Sequence, residues 1–88
     1  MCRNIRILFN FDPPATDEEI HSAALQFVRK ITGTHRPSKA NEEAFLRATE
    51  EIAASSRRLL HGLTTAAPPR DRELERAKAK ARSERRFA

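Results

Sequence analysis

The chain contains no Trp and no Tyr, and only two Gly, one Cys and one Met among 88 residues. So little glycine, with no large aromatics, disfavours a turn-rich β fold and favours helices. The single thiol, Cys2, excludes an intramolecular disulfide, so no covalent staple supplements the core. No apolar run approaches the roughly 18 residues needed to cross a bilayer. The N-terminus also lacks the apolar stretch and small-residue cleavage site of a signal peptide. Together these absences predict a cytoplasmic protein in a reducing compartment, with no membrane span. At this length a second ordinary domain is excluded, and folding buries only about 60 to 65% of the surface that the unfolded chain exposes.

What is present is 39% hydrophobic and 33% charged residues, with a formal net charge of +5 from 17 basic and 12 acidic side chains. The charge is uneven, because residues 70 to 88 hold 8 basic and 4 acidic residues and supply +4 of the total. A basic tail is attracted to nucleic acid, to anionic membrane surfaces and to acidic protein faces, and its sign does not choose among them.

Along the chain, residues 4 to 11 place Ile5, Ile7, Phe9 and Phe11 on one side of an extended segment and Arg6 and Asn10 on the other. No second segment has that period, so the strand is expected to lie across the helices or to pair with its copy in a homodimer. Asp12-Pro13-Pro14 ends any ladder, because proline donates no backbone hydrogen bond. Thr16-Asp17-Glu18-Glu19 is a capping box. It opens a helix predicted over 17–32, with Ile20, Ala23, Ala24, Phe27, Val28 and Ile31 at helical spacing and Gly33 as its C-cap. Ser38 is an N-cap candidate for a second helix, about 39–61, whose stripe is Phe45, Ala48, Ile52, Leu59 and Leu63, widened by Ala44, Ala53 and Leu60, with the small Ala48, Ala53, Ser55 and Ser56 allowing close approach of another helix.

The fold class that follows is mainly α: a short extended N-terminal segment, an antiparallel helical hairpin and a third, basic helix after a Pro-Pro linker at 64–69. Residues 1–69 form the hairpin core and 70–88 the basic helix, the whole a single domain. The third helix, Asp71 to Arg86, carries only a thin apolar line of Leu74, Ala77, Ala81 and Phe87. It is expected to dock through Leu74 and stay solvated elsewhere, or to order on a partner.

Eight basic residues make up the candidate nucleic-acid site: Arg70, Arg72, Arg76, Lys78, Lys80, Arg82, Arg85 and Arg86. Against that reading, Asp71, Glu73, Glu75 and Glu84 are interspersed, and Glu73 with Arg76 or Glu75 with Lys78 suits a merely solvated helix. Phe87 is the tail's only aromatic, too few for stacking successive bases.

Cys2 is the weak catalytic candidate. Removal of Met1 would set its thiol beside a free α-amine, with Arg3 and Arg6 able to lower its pKa, yet no Asp-His pair or second Cys completes a constellation. His21, His35 and His61 are scattered singly and match no metal-binding spacing, so no metal is expected. Glu42, Glu43, Glu50 and Glu51 read as a solvated face of the second helix, with Glu43 and Arg47 an i,i+4 pair. No glycine-rich phosphate loop, nucleophile elbow or catalytic carboxylate pair is present, so neither a cofactor nor catalysis is expected.

Several blocks carry a resemblance: Met1-Cys2-Arg3-Asn4-Ile5, the stretch from Phe9 through Pro13-Pro14-Ala15-Thr16 to Glu19-Ile20, Gln26-Phe27-Val28-Arg29-Lys30, Pro37-Ser38, Ala40-Asn41 and Ala67-Pro68-Pro69. In these the chain resembles, over nearly its full length, a small family of uncharacterised bacterial proteins built on a domain of unknown function. The resemblance implies a bacterial, self-contained protein and carries over no functional residue.

Three functions therefore stand beside one another. The first is a helical binding module whose last helix meets RNA, DNA or another anionic partner such as an acidic protein surface. The second is a homo-oligomeric or adaptor module assembled through the N-terminal strand and the second helix. The third is a thiol protein built on Cys2.

Overall fold

The computed structural model describes residues 5–87, so Cys2 and Arg3 lie outside the described residues. Two helices form an antiparallel hairpin, α1 (Asp17–Thr32) and α2 (Glu42–Gly62), followed by α3 (Arg72–Phe87). Helix α1 starts where the capping box sets it. The Thr16 amide donates to Glu19 Oε1 at 2.9 Å, and the Glu19 amide donates to the Thr16 hydroxyl at 3.1 Å. It ends at Gly33, whose φ of 68° is the left-handed conformation that glycine adopts without penalty, and whose amide donates to Arg29 O at 2.9 Å.

The turn before α2 differs from the expected continuous helix. Residues Lys39–Asn41 form a separate 3-10 turn, because the Ser38 hydroxyl caps no helix amide and instead accepts from Asn41 Nδ2 at 3.1 Å.

Each hairpin helix buries residues at every fourth position: Ile20, Ala24 and Val28 on α1, Phe45, Thr49 and Ala53 on α2. Rows at i,i+4 are the ridges that interdigitate when helices pack closely. The expected seam on α2 is thus turned by about one residue. Thr49 replaces Ala48 and Ile52 at its centre, while Leu59 and Leu63 stay exposed. Thr49 is only 1% exposed, and its hydroxyl donates to Phe45 O at 2.9 Å, which removes the penalty of burying it. Two polar contacts cross the helices at the rim, an ion pair from Arg57 Nε to Asp17 Oδ1 at 2.9 Å and a hydrogen-bond contact between His21 Nε2 and Glu50 Oε1 at 3.0 Å.

The N-terminal segment does find a partner in its own chain, which corrects the expectation that it has none. Strand β1 (Phe11–Asp12) pairs in parallel with β2 (Arg70–Asp71). The alternation fails at Asn10, whose φ of 62° turns the backbone. As a result Leu8, from the other face of the expected strand, packs on Ile20, Ala24 and Ala53, while Ile5 and Ile7 are exposed. Asn10 also latches the linker. Its side-chain amide donates to Pro68 O at 3.0 Å, and its carbonyl accepts from the Arg70 amide at 2.7 Å. The Asp12–Pro13 peptide is cis.

The core is small, so single apolar truncations should be felt. Replacing Ile20, which is 2% exposed, with Ala is expected to lower unfolding free energy by about 2–5 kcal/mol in urea titrations. Leu46→Ala, on the solvent side of α2, should stay within about 0.5 kcal/mol.

Candidate functional site

Helix α3 begins just after Asp71, whose Oδ1 accepts from the Leu74 amide at 2.9 Å in an N-cap bond. Its attachment to the rest of the chain is polar. Leu74, the expected docking residue, is 54% exposed, and the anchor is instead Arg72.

The Arg72 guanidinium makes four hydrogen bonds: Nε to Pro13 O at 2.8 Å, Nη2 to Pro14 O at 3.0 Å, and a fork to Glu19 through Nη2 to Oε1 at 2.9 Å and Nη1 to Oε2 at 3.1 Å. Only arginine offers a planar fork that can serve a carboxylate and two carbonyls at once. The Phe11 ring lies beneath, its centroid 5.5 Å from the Arg72 guanidinium carbon and 5.8 Å from that of Arg70.

Glu19 is thereby shared among three segments. Oε1 also accepts from the Thr16 amide, and Oε2 accepts from Arg6 Nη2 at 3.3 Å. Its side chain is 19% exposed and that of Arg72 is 26% exposed. The hydrogen bonds from Arg72, and then that from the Thr16 amide, hold the Glu19 carboxyl at about 2 against an ordinary 4.5.

The eight basic candidates separate into three groups along β2 and α3. Arg70 and Arg72 are built into the junction with the N-terminal segment, Arg70 through its backbone and the Phe11 ring. Arg76 pairs with Glu73 at 3.2 Å and Lys78 with Glu75 at 3.8 Å, as the i,i+3 spacing predicts. Lys80, Arg82, Arg85 and Arg86 are exposed, with no ion pair among the described residues. At about 100° per residue, Lys78, Arg82, Arg85 and Arg86 share one arc of α3. Lys80 and Arg76 lie on the opposite side.

The other candidate residues stay apart. Among the described residues no three His, Cys, Asp or Glu side chains converge as metal ligands. His21 faces Glu50, and the His35 carbonyl in the hairpin loop accepts from Arg29 Nε at 3.0 Å. Among the described residues no helix is long and apolar enough to cross a membrane. The residues that sequence reading missed are Asn10, Glu19 in its second role and Arg72 as an anchor. A carboxylate already used in a capping box gives no further sign that an arginine 53 positions away will claim its other oxygen.

Because the folded Glu19 carboxyl sits at about 2 and an unfolded one near 4.5, its contribution to stability is complete above pH 4.5 and disappears as pH falls to about 2. Thermal unfolding followed by circular dichroism should show this loss. Glu19→Gln should flatten it and lower the midpoint at pH 7. Arg72→Lys, which keeps the charge but loses the fork, should speed tryptic cleavage within 70–86.

Residues 1–78 match a family model described as an uncharacterized conserved protein, DUF2277. No curated protein and no solved structure matches the chain. The matched span takes in the whole Asn10, Glu19 and Arg72 junction and stops within α3, and on that coverage the chain belongs to the DUF2277 family.

Proposed function

We propose that this protein is a small helical binding module that presents the far half of α3 to a polyanion, RNA or DNA. The observation that carries the reading is the division of labour among its cations. Arg72 is spent inside the chain, whereas Lys78, Arg82, Arg85 and Arg86 follow i, i+4, i+7, i+8 spacing on a face that, among the described residues, holds no ion pair beyond the long one at Lys78. Anchored in its first turn and solvated beyond it, the helix offers a row of positive charge to a phosphate backbone. The shortage of aromatics in the tail favours contacts to phosphate over base stacking.

On this reading residues 1–69 are the platform and 70–88 the contacting helix of one unit, at work in a bacterial cytoplasm. Lys78 lies within the residues matched by the family model, and Lys80, Arg82, Arg85 and Arg86 lie beyond them. Salt-released counterions would then provide most of the affinity.

Four neutralised phosphates should give a slope of log K against log salt near −3 to −4, a loss of about 10²-fold in affinity between 50 and 200 mM salt. Fluorescence anisotropy with labelled RNA and DNA duplexes and single strands reads this directly. Replacing Lys78, Arg82, Arg85 and Arg86 by Ala should abolish binding and leave the circular dichroism of the hairpin in place, while Arg47→Ala should change nothing. Binding that ignores salt, or that survives the fourfold replacement, would sink the reading.

A further inference from the structure

The thin apolar line of α3 points away from the rest of the molecule. Leu74, Ala77 and Ala81 recur at i, i+3 and i+7, and at about 100° per residue they share one edge of the helix. Arg72, whose guanidinium reaches Glu19, and Ala79, which lines a cleft with Arg6, Ile7 and Phe11, lie on the opposite edge. The edge expected to dock on the hairpin therefore faces solvent, with Leu74 54% exposed and every residue from Arg76 to Arg86 exposed. Solvation accounts for outward cations. It does not account for an apolar line set outward between them.

Cations stand on both banks of that line. Lys78, Arg82, Arg85 and Arg86 form one bank, and Lys80 and Arg76 form the other, roughly 150° away around the axis. Glu73 occupies Arg76 at 3.2 Å, which leaves Lys80 with no ion pair among the described residues.

These features select among polyanions. The exposed stretch from Arg76 to Arg86 is about 16 Å long, and a helix with its side chains is about 10–12 Å across. The major groove of B-form DNA is about 12 Å wide, and it displays thymine methyl groups that take apolar contacts from residues such as alanine. It also has a wall of phosphates on either side, and short side chains on the leading edge let the helix backbone approach the base pairs. The major groove of an A-form RNA duplex is deep and too narrow to be read in this way. A single strand offers one line of phosphates and gains most from aromatic stacking, for which the tail is poor. An anionic bilayer takes a helix with a broad apolar face, and one leucine with two alanines is too little.

We infer that α3 enters the major groove of B-form duplex DNA with Leu74, Ala77 and Ala81 leading, Lys78, Arg82, Arg85 and Arg86 on the phosphates of one strand and Lys80 on those of the other. The inference rests on the polyanion reading and narrows its ligand to one nucleic acid. Glu84, beside Ala77 around the axis, also meets the base edges, where the cytosine amino group is the donor that a carboxylate accepts from.

Fluorescence anisotropy of the full chain over a range of salt tests this with a labelled DNA duplex, the RNA duplex of the same sequence and each DNA strand alone. Cosedimentation with vesicles of phosphatidylserine and phosphatidylcholine in equal parts is the further arm. Near 0.1 M salt the DNA duplex should bind about tenfold more tightly than the others, since it gains one more phosphate contact. Lys80→Ala should lower the salt slope by about 1 on the DNA duplex alone. Ala81→Phe, bulky but uncharged, should remove the preference for DNA while binding to RNA keeps its salt slope. Guanine N7, which lies in the major groove, should be protected from dimethyl sulfate in the complex. Equal or tighter binding of the RNA duplex or a single strand with the salt slope kept, or an unprotected N7, would overturn the inference and leave the polyanion reading standing. Binding to vesicles alone, or to nothing, would remove both.

Discussion

One carboxylate holds the three parts of this molecule together. Glu19 closes the N-terminal cap of α1, accepts from Arg6 of the extended segment and takes both prongs of the Arg72 fork. Coulomb attraction between solvated groups is weak, but here the geometry multiplies it. Arg72 also serves the carbonyls of Pro13 and Pro14, two acceptors that no strand partner uses because β1 ends at Asp12. The proline pair that terminates the ladder thus supplies the acceptors that seat α3. Replacing Arg72 would remove its fork from Glu19 and its two hydrogen bonds from the carbonyls of Pro13 and Pro14 at one stroke, a larger loss than the attraction of one exposed ion pair.

Local signals were legible in the sequence, and long-range ones were not. The Thr16 to Glu19 box and Gly33 bound α1 to the residue, since each cap is satisfied within four positions along the chain. The i,i+3 and i,i+4 pairs of Glu43 with Arg47, Glu73 with Arg76 and Glu75 with Lys78 were equally readable for the same reason. The expected stripe of α2 contains the buried Phe45 and Ala53 but misses Thr49 and includes the exposed Leu59 and Leu63. What decides the seam is how closely the helices approach, and Ala24 against Ala53 draws them together so that a threonine fits the centre. Periodicity alone places a stripe only to within about one residue's rotation.

The β1–β2 pairing lay further out of reach. Two residues paired with two others leave no periodic trace, and the cause is Asn10 in a left-handed turn that breaks the alternation visible on either side of it. Arg72 reads, in the sequence, as one more cation in a basic run. Only its position opposite Glu19 and the two proline carbonyls distinguishes it from Arg82 or Arg85. The same composition therefore contains both a fastener and a row of exposed charge, and folding sorts one from the other.

The distance in sequence across the β1–β2 junction also sets an order of events. The α1–α2 hairpin closes through neighbouring segments, whereas Phe11 meets Arg70 only by closing a loop that spans about two thirds of the chain. The Thr16 to Glu19 cap needs only residues within four positions of one another, whereas the fork on the same carboxylate waits for Arg72, 53 positions later. Fastening of Phe11 and Asp12 therefore depends on Arg70 and Asp71, and the extended segment and the start of α3 become ordered together.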